Sequence, residues 1–575
     1  MTDRSFKALR KNTEKDYSGF PSVKLAILSD TATQYLTQTL KAVAYEKRLD
    51  PEIYEAGFDR IDSESIDTDS GLYKSRPDYV ILLQSSENLC RRYYSEGAAG
   101  RENFGREEAE RQLTAADRIY DNSKAEVLVC NYCEFDDGVF GNLAATYDAA
   151  FPHVIRDINR LLADGVKKRA GSYLVDIDSA QNEYGRALSY DPRMYYLSSN
   201  PFSMDFLVRI SEKILSVIAA FKNGVKKCLI TDLDDTLWGG LVGELGLSGI
   251  TVGDLGIGKA FSDYQLWLRE LSRRGITICV CSKNEEDTAK EVFDTHPDMK
   301  LKLDDIAVFK ANWSDKAGNI RDIQKILNIG LDSMVFIDDN PAERDLVRTM
   351  LPEITVPEIP ADPVFRLVYL QSLGLFETPV VSEEDIKRSD RYREEGIRSA
   401  AKDKAISLED YLAGLDMRCM VRAFDEYSVP RIAQLTQRTN QFNLRTIRYT
   451  EAEIKAIAES PEYITMSLSL RDSIGDYGII AAVILKKESK ETLFLDSFLM
   501  SCRVAKRGVE EYIFNHIVSV AKEQGYSQIV GEYIPSGKNA PVSGLLENMG
   551  FRRDGDQKKM NISDYRPAES FVNEE

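Results

Sequence analysis

The sequence predicts an α/β protein of three domains, and three observations carry that expectation. Strand-like and helix-like segments alternate from about residue 22 to 205, as in a parallel sheet with crossover helices. Between residues 206 and 362, short apolar runs end repeatedly in acidic, hydroxyl or cationic residues, which places chemistry at strand ends. From about 406 to 563, a second set of strand-like runs leads into a helix, a further strand and a short closing helix. A chain of 575 residues has room for this, at roughly 150 residues per domain.

In chain order, Val23 to Leu28 reads as the first strand and Tyr35 to Tyr45 as the helix after it. Ile53 to Ala56, Tyr79 to Leu83 and Val127 to Val129 are further short strands. Phe206 to Phe221 has a helical amphipathic pattern and is expected to lead into the second domain. Residues 363–405 read as a connector, with Glu383 to Lys404 a charged, solvated helix. In the last domain Tyr463 to Ser469, Gly478 to Leu485, Leu493 to Met500 and Gln528 to Tyr533 are strands, with helices from Val509 to Gln524 and Leu545 to Phe551. Residues 564–575 are read as a tail.

The chemistry concentrates in the middle domain. The apolar run Cys228-Leu229-Ile230 ends in Asp232-Leu233-Asp234-Asp235-Thr236. Alternation along a strand puts Asp232 and Asp234 on one side, where two close carboxylates favour a hard cation such as Mg²⁺ or the sharing of a proton. One of them would then attack phosphorus while the other moves a proton. A second run, Ile276 to Val280, ends in Cys281-Ser282-Lys283-Asn284, where a hydroxyl and backbone N–H groups would hold phosphate oxygens. Lys316 opens a helical pattern, so a cation and a helix N-terminus would both attract an anion. A third run, Met334 to Ile337, ends in Asp338-Asp339-Asn340-Pro341 and supplies further carboxylates for a metal.

This ordered set resembles the four motifs of the haloacid dehalogenase (HAD) phosphohydrolase superfamily. The resemblance implies that Asp232 is the nucleophile that becomes an aspartyl phosphate and Asp234 the general acid/base. It implies that Thr236 and Ser282 are the hydroxyl positions and Lys316 the charge-neutralising lysine. The metal ligands are expected among Asp232, Asp234 and Asp339, with Asp338 an alternative to Asp339. Asp232 to Gly240, Asn312-Trp313-Ser314-Asp315-Lys316 and Phe336 to Arg344 look like the FkbH-like branch. That branch is associated with loading a glyceryl unit from 1,3-bisphosphoglycerate onto an acyl carrier protein. The Gly-rich segment between the first two motifs has room for a short flap and a helix from Phe261 to Leu271, not for a folded cap.

The outer domains carry weaker resemblances. Residues 1–205 resemble the SGNH-hydrolase-like (flavodoxin-like) domain that often precedes the phosphatase unit. Ser29-Asp30-Thr31 replaces its Gly-Asp-Ser, and no His follows Asp at the expected place, so a fold without the hydrolase chemistry is expected. Residues 406–563 resemble the GNAT acyltransferase fold, with a mixed sheet. Its pyrophosphate loop would be Arg503-Val504-Ala505-Lys506-Arg507-Gly508, in which Lys506 replaces a glycine. The loop is compatible with the phosphopantetheine of a carrier, and coenzyme A binding is left open. Cys502, beside these cations at a strand end, is a candidate thiolate nucleophile for an acyl group, with a buried structural thiol the equal alternative. Thr439 to Asn443 would offer amide hydrogen bonds to such a ligand, or form an ordinary turn.

Composition bounds the rest. A net charge of −19 argues against nucleic-acid binding and requires a local basic patch, such as Lys506-Arg507, for an acidic carrier to dock. No run approaches the ~20 apolar residues of a membrane span, and residues 1–20 lack a signal-peptide core, so a cytoplasmic protein is expected. Cys130-Asn131-Tyr132-Cys133 is a lone CxxC, read as structural. The expected activity is a bifunctional glyceryl transferase/phosphatase. A stand-alone Mg-dependent phosphatase on a sugar or acyl phosphate, and a non-catalytic carrier-binding scaffold, are the alternatives.

Overall fold

The computed structural model describes residues 4–575 apart from 223, 379, 382, 440, 537, 538 and 556. The chain divides into two compact units. The first holds Met1–Gly240, Ile250–Trp267 and Gly330–Ile386, and the second Leu241–Gly249, Leu268–Ile329 and Lys387–Glu575.

The N-terminal part of the first unit is a five-stranded parallel sheet of β1 (Ser22–Ser29), β2 (Asp50–Glu55), β3 (Tyr79–Leu83), β4 (Glu126–Cys130) and β5 (Ser172–Val175), in the order β2-β1-β3-β4-β5. Each strand pairs in parallel with its neighbour, so both faces must be covered by crossover helices. Strand alternation decides which residue meets which layer. Leu25 and Ile27 pack with Ile210, Ile214 and Ile218 on one side, while Ala26 and Leu28 pack with Leu113, Ile119 and Ile158 on the other. The helix Met204–Lys222 therefore belongs to this core, and the expected boundary at residue 205 falls at the start of one of its packing helices. Its apolar stripe is what the sequence showed; the partner that buries the stripe lies some 180 residues earlier.

The middle of the chain supplies four strands, β6 (Cys228–Thr231), β7 (Thr277–Ser282), β8 (Ile306–Ala311) and β9 (Met334–Ile337). In the first unit β6 pairs in parallel with β9, and in the second β7 pairs in parallel with β8. All four residues of β6 and of β9 are buried, the near-continuous apolar pattern of a sheet covered on both faces.

The rest of the second unit is a mixed eight-stranded sheet built from β10 (Met417–Arg422), β11 (Tyr463–Arg471), β12 (Asp476–Lys487), β13 (Thr492–Met500), β14 (Gln528–Gly531), β15 (Arg552–Asp554), β16 (Gln557–Asn561) and β17 (Val572–Glu574). The order is β15-β16-β14-β13-β12-β11-β10-β17, antiparallel except for β13 with β14 and β10 with β17. The expected tail therefore ends in an edge strand, with Val572 opposite Met417.

The expected solvated connector is also corrected. The helix Pro363–Ser372 lies in the first unit, and Arg388–Lys404 packs on β8 in the second. Gly396 makes that packing close, since a Cβ there would lie 1.8 Å from the Ala307 carbonyl oxygen. Arg393 Nη1 and Ser389 Oγ hold the same helix to the carbonyls of Asp304 (2.8 Å) and Ser272 (3.0 Å). A charge-rich sequence hides such contacts because they use backbone acceptors and a missing side chain.

Candidate active site

The β6–β9 ladder places the first group of residues. Thr231 lies opposite Ile337, and the Asp232 N–H continues the pairing to the Ile337 carbonyl (2.9 Å), so Asp232 and Asp338 leave adjacent strand ends together. The carboxylates of Asp232, Asp338 and Asp339 each offer an oxygen within 4.8 Å of the others. Asp232 and Asp338 are buried. Three converging carboxylates, two of them buried, are a donor set suited to a hard divalent cation, and the residues fit Mg²⁺.

The turn after β6 is shaped by its own side chains. Asp235 has φ +51°, a left-handed conformation that costs a non-glycine residue on the order of 1 kcal/mol. Its carboxylate offsets this locally by accepting the Gly240 N–H (2.7 Å). Thr236 Oγ1 accepts the Asp339 N–H (3.1 Å) and donates to Asp339 Oδ1 (3.3 Å), joining the two acidic strand ends. Asp234, expected among the metal ligands, is not in the converging set; its carboxylate accepts the Trp238 indole N–H at 2.9 Å. A residue past the end of β6 follows the turn rather than the strand, so the side shared with Asp232 is not enforced.

The acidic end of β9 is braced from behind. Asp338 Oδ1 accepts the Asn340 N–H (2.9 Å), and Asn340 caps the helix Pro341–Met350 by accepting from Ala342 (2.9 Å). From that helix the buried Arg344 donates to the carbonyls of Asp338 (2.9 Å) and Asp339 (2.7 Å), and it is held by Glu358 (2.8 Å). Neither Arg344 nor Trp238 has a role that follows from the sequence pattern alone. Their spacing from the acidic motifs, one turn of chain or slightly more, was the available signal.

In the second unit Ser282 ends β7 and is buried, with Asn284 Nδ2 donating to its hydroxyl (3.2 Å). Lys316 is the first residue of the helix Lys316–Leu327 and is also buried. Asp315 caps that helix by accepting the Gly318 N–H (2.7 Å). The backbone of Lys316 lies against β7, its carbonyl accepting from the Cys281 thiol (3.7 Å).

The loop before the helix Val509–Glu523 differs from the expected anion cradle. Lys506 has φ +62° and Gly508 φ +81°, so the backbone keeps the left-handed conformation although a lysine replaces the glycine. The Lys506 N–H, which would face a phosphate, instead donates to Glu510 Oε1 (2.8 Å), a buried carboxylate in the first turn of the helix. Arg507 turns to the Tyr477 hydroxyl and to Glu395 (3.6 Å), leaving Lys506 as the exposed cation of the expected docking pair. Arg503 donates to Ser501 Oγ (3.3 Å). The Lys506 N–H is thereby satisfied within the chain. The side chain of Cys502 and the whole of Asn440 lie outside the described residues. Asn443 forms a turn, its Oδ1 accepting from Thr446 N (2.9 Å).

In the N-terminal sheet, Ser29 and Thr31 bond each other (2.8 Å) and Asp30 accepts the Ser85 N–H (2.8 Å). Burial pushes the Asp30 carboxyl up to about 7. Cys130 and Cys133 are buried, and burial pushes the Cys130 thiol up to about 12, which keeps it protonated and structural. Among the described residues no helix is long and apolar enough to cross a membrane.

Parallel sheets and an acidic site at paired strand ends define a phosphohydrolase of the HAD type. The comparisons agree. The family model for the FkbH N-terminal domain matches residues 24–219. The chain is 40% identical to the N-terminal part of protein BF1531 from Bacteroides fragilis, described as containing a phosphatase domain complexed with Mg; the match covers 65% of this chain and 99% of that one, with a TM-score of 0.61. The chain belongs to the FkbH-like family. The C-terminal region also matches the ribosomal-protein-S18-alanine N-acetyltransferase from Escherichia coli at 13% identity, over 24% of this chain and 89% of that one, with a TM-score of 0.20 too low to carry an inference. No curated protein matches the chain at a significant level.

Proposed function

We propose that the chain is a phosphatase that dephosphorylates a three-carbon acyl phosphate, 1,3-bisphosphoglycerate, while loading its glyceryl group on an acyl carrier protein as a thioester. The observation that carries the phosphatase half is the convergence of Asp232, Asp338 and Asp339, with Thr236 tying Asp339 to the turn after β6. In this reading an Asp232 oxygen attacks phosphorus in line, forming an aspartyl phosphate as the bond to the C3 oxygen breaks. Asp234, oriented by the Trp238 indole, gives its proton to the leaving oxygen. It then takes a proton from the water that attacks phosphorus and releases Asp232. The family pattern assigns Ser282 and Lys316 to the oxygens of the transferring phosphoryl group. Mg²⁺ would be held by Asp232, Asp338 and Asp339, and when bound it supplies neutralisation of phosphoryl charge.

The transfer half rests on the FkbH-like resemblance and on the additional mixed-sheet region that a plain phosphatase does not use. A thiolate, of Cys502 or of the carrier's pantetheine, attacks C1 of the acyl phosphate. The C1–O bond breaks and phosphate leaves with the electron pair. Coenzyme A is a less favoured thiol acceptor than a carrier in this reading, because Glu510 takes the N–H of Lys506.

Intact-mass spectrometry tests the reading, with 1,3-bisphosphoglycerate, Mg²⁺ and a candidate carrier, beside Cys502→Ala. A hydroxylamine-labile three-carbon adduct on enzyme or carrier is expected, and its loss from the enzyme in Cys502→Ala assigns the thiol. Phosphate release with no adduct on either protein would reduce the protein to a phosphatase.

A further inference from the structure

We propose that Arg366 is a positioning residue of the phosphatase site, a clamp that holds the turn after β6 in its left-handed conformation. The inference rests on the phosphatase reading above. Arg366 lies on the helix Pro363–Ser372, which the sequence assigns to a connector outside the phosphatase domain. Its guanidinium donates to three backbone carbonyls: Nε to Pro360 (2.9 Å), Nη2 to Ala361 (2.8 Å) and Nη1 to Asp235. Two of these acceptors lie in the strap that leads into the helix. The third belongs to the residue at φ +51°, flanked by Asp234 and Thr236.

The geometry asks for a planar fork rather than a charge. A guanidinium presents several N–H groups in fixed directions and can join two chain segments through their carbonyls, whereas an ammonium is a compact point donor on a flexible stem. The clamp also acts on the acidic cluster. Thr236 follows Asp235 directly and exchanges hydrogen bonds with Asp339, so movement of the turn is transmitted to one of the three converging carboxylates. The three hydrogen bonds of Arg366 all go to backbone carbonyls, and Asp339 attracts the guanidinium electrostatically, so Arg366 is placed to position the turn rather than to react.

A small pocket of about 10 Å³ is lined by Arg366 together with Thr236, Phe261, Tyr264, Ile337 and Leu370. Tyr264 closes one wall, its hydroxyl 3.3 Å from Thr231 Oγ1. Shortening Arg366 would widen this opening and give a small planar cation a way to the vacated place.

The test uses the full chain with Arg366→Ala and Arg366→Lys, p-nitrophenyl phosphate with Mg²⁺, and hydrogen exchange of the peptide 233–240. For Arg366→Ala the expected result is a fall of about 30-fold in kcat with little change in KM, the size of losing a hydrogen bond from a charged donor. Faster exchange in 233–240 is expected with it, and both are reversed in part by millimolar guanidinium but not by Arg366→Lys. Unchanged exchange in 233–240, or a kcat loss that guanidinium leaves untouched, overturns the clamp. If exchange responds as expected but the wild-type chain hydrolyses no phosphate ester, the phosphatase reading fails and the clamp stands.

Discussion

Trp238 illustrates what a single residue does in this site. Its indole N–H is aimed at the carboxylate proposed as general acid/base, from four residues along a turn that carries both. Trp238→Phe keeps the ring and removes the donor. A fall of about tenfold in kcat is expected for one lost hydrogen bond to a charged group, together with a lowered melting temperature because the smaller ring leaves a void at a fully buried position; hydrolysis of p-nitrophenyl phosphate, measured well below that melting temperature, reads the first. A second residue makes a pH prediction. Burial raises the Asp30 carboxyl to about 7, above its ordinary value near 3.8, so folding takes up a proton there. The stability it contributes is therefore full below about 4 and declines as pH rises to about 7, by something of the order of 4 kcal/mol. Asp30→Asn should flatten that decline, read from urea unfolding at pH 5 and pH 8 with hydrogen exchange followed in β1 and β3. The acidic motifs were legible in the sequence because strand ends and their carboxylates are neighbours along the chain. Trp238, Arg344 and Arg366 were not assigned, because what they do depends on where a turn or a later helix returns.

At the scale of elements, strands and their order of chemistry were readable, and helix partners were not. The helix Met204–Lys222 shows a clear apolar stripe, yet the stripe does not say that it covers β1 rather than the phosphatase strands. The helix Arg388–Lys404 shows almost no stripe, yet it lies on β8 through Gly396 and backbone acceptors. Gly396→Ala should therefore destabilise the second unit by roughly 3 kcal/mol, the upper part of the overpacking range, since the added Cβ meets a carbonyl rather than a mobile side chain. Urea denaturation with hydrogen exchange in β7 and β8 checks this, and an unchanged midpoint would show that the helix can lift away at little cost. The loop at Lys506 makes the complementary point. A departure from the glycine pattern was visible in the sequence, but the Glu510 carboxylate that answers it became visible only with the helix turn formed.

For the whole molecule, a net charge of −19 means that any acidic partner meets long-range repulsion, weakened as salt rises. Arg507 is engaged with Tyr477 and Glu395, so the basic patch expected there is reduced to Lys506. Transfer to an acidic carrier should accordingly speed up between low and physiological ionic strength, whereas hydrolysis of a small phosphate ester should change much less. Chelation acts on the phosphatase site. With three carboxylates converging within 4.8 Å, EDTA should abolish phosphate release and added Mg²⁺ should restore it. The most direct measurement is phosphate release by the full chain and by Asp232→Asn, in parallel, on an acyl phosphate and on p-nitrophenyl phosphate. Turnover by the wild type and a loss of at least about 1000-fold in the variant are expected, as befits removal of a nucleophile. Turnover by Asp232→Asn close to that of the wild type would contradict that role for Asp232.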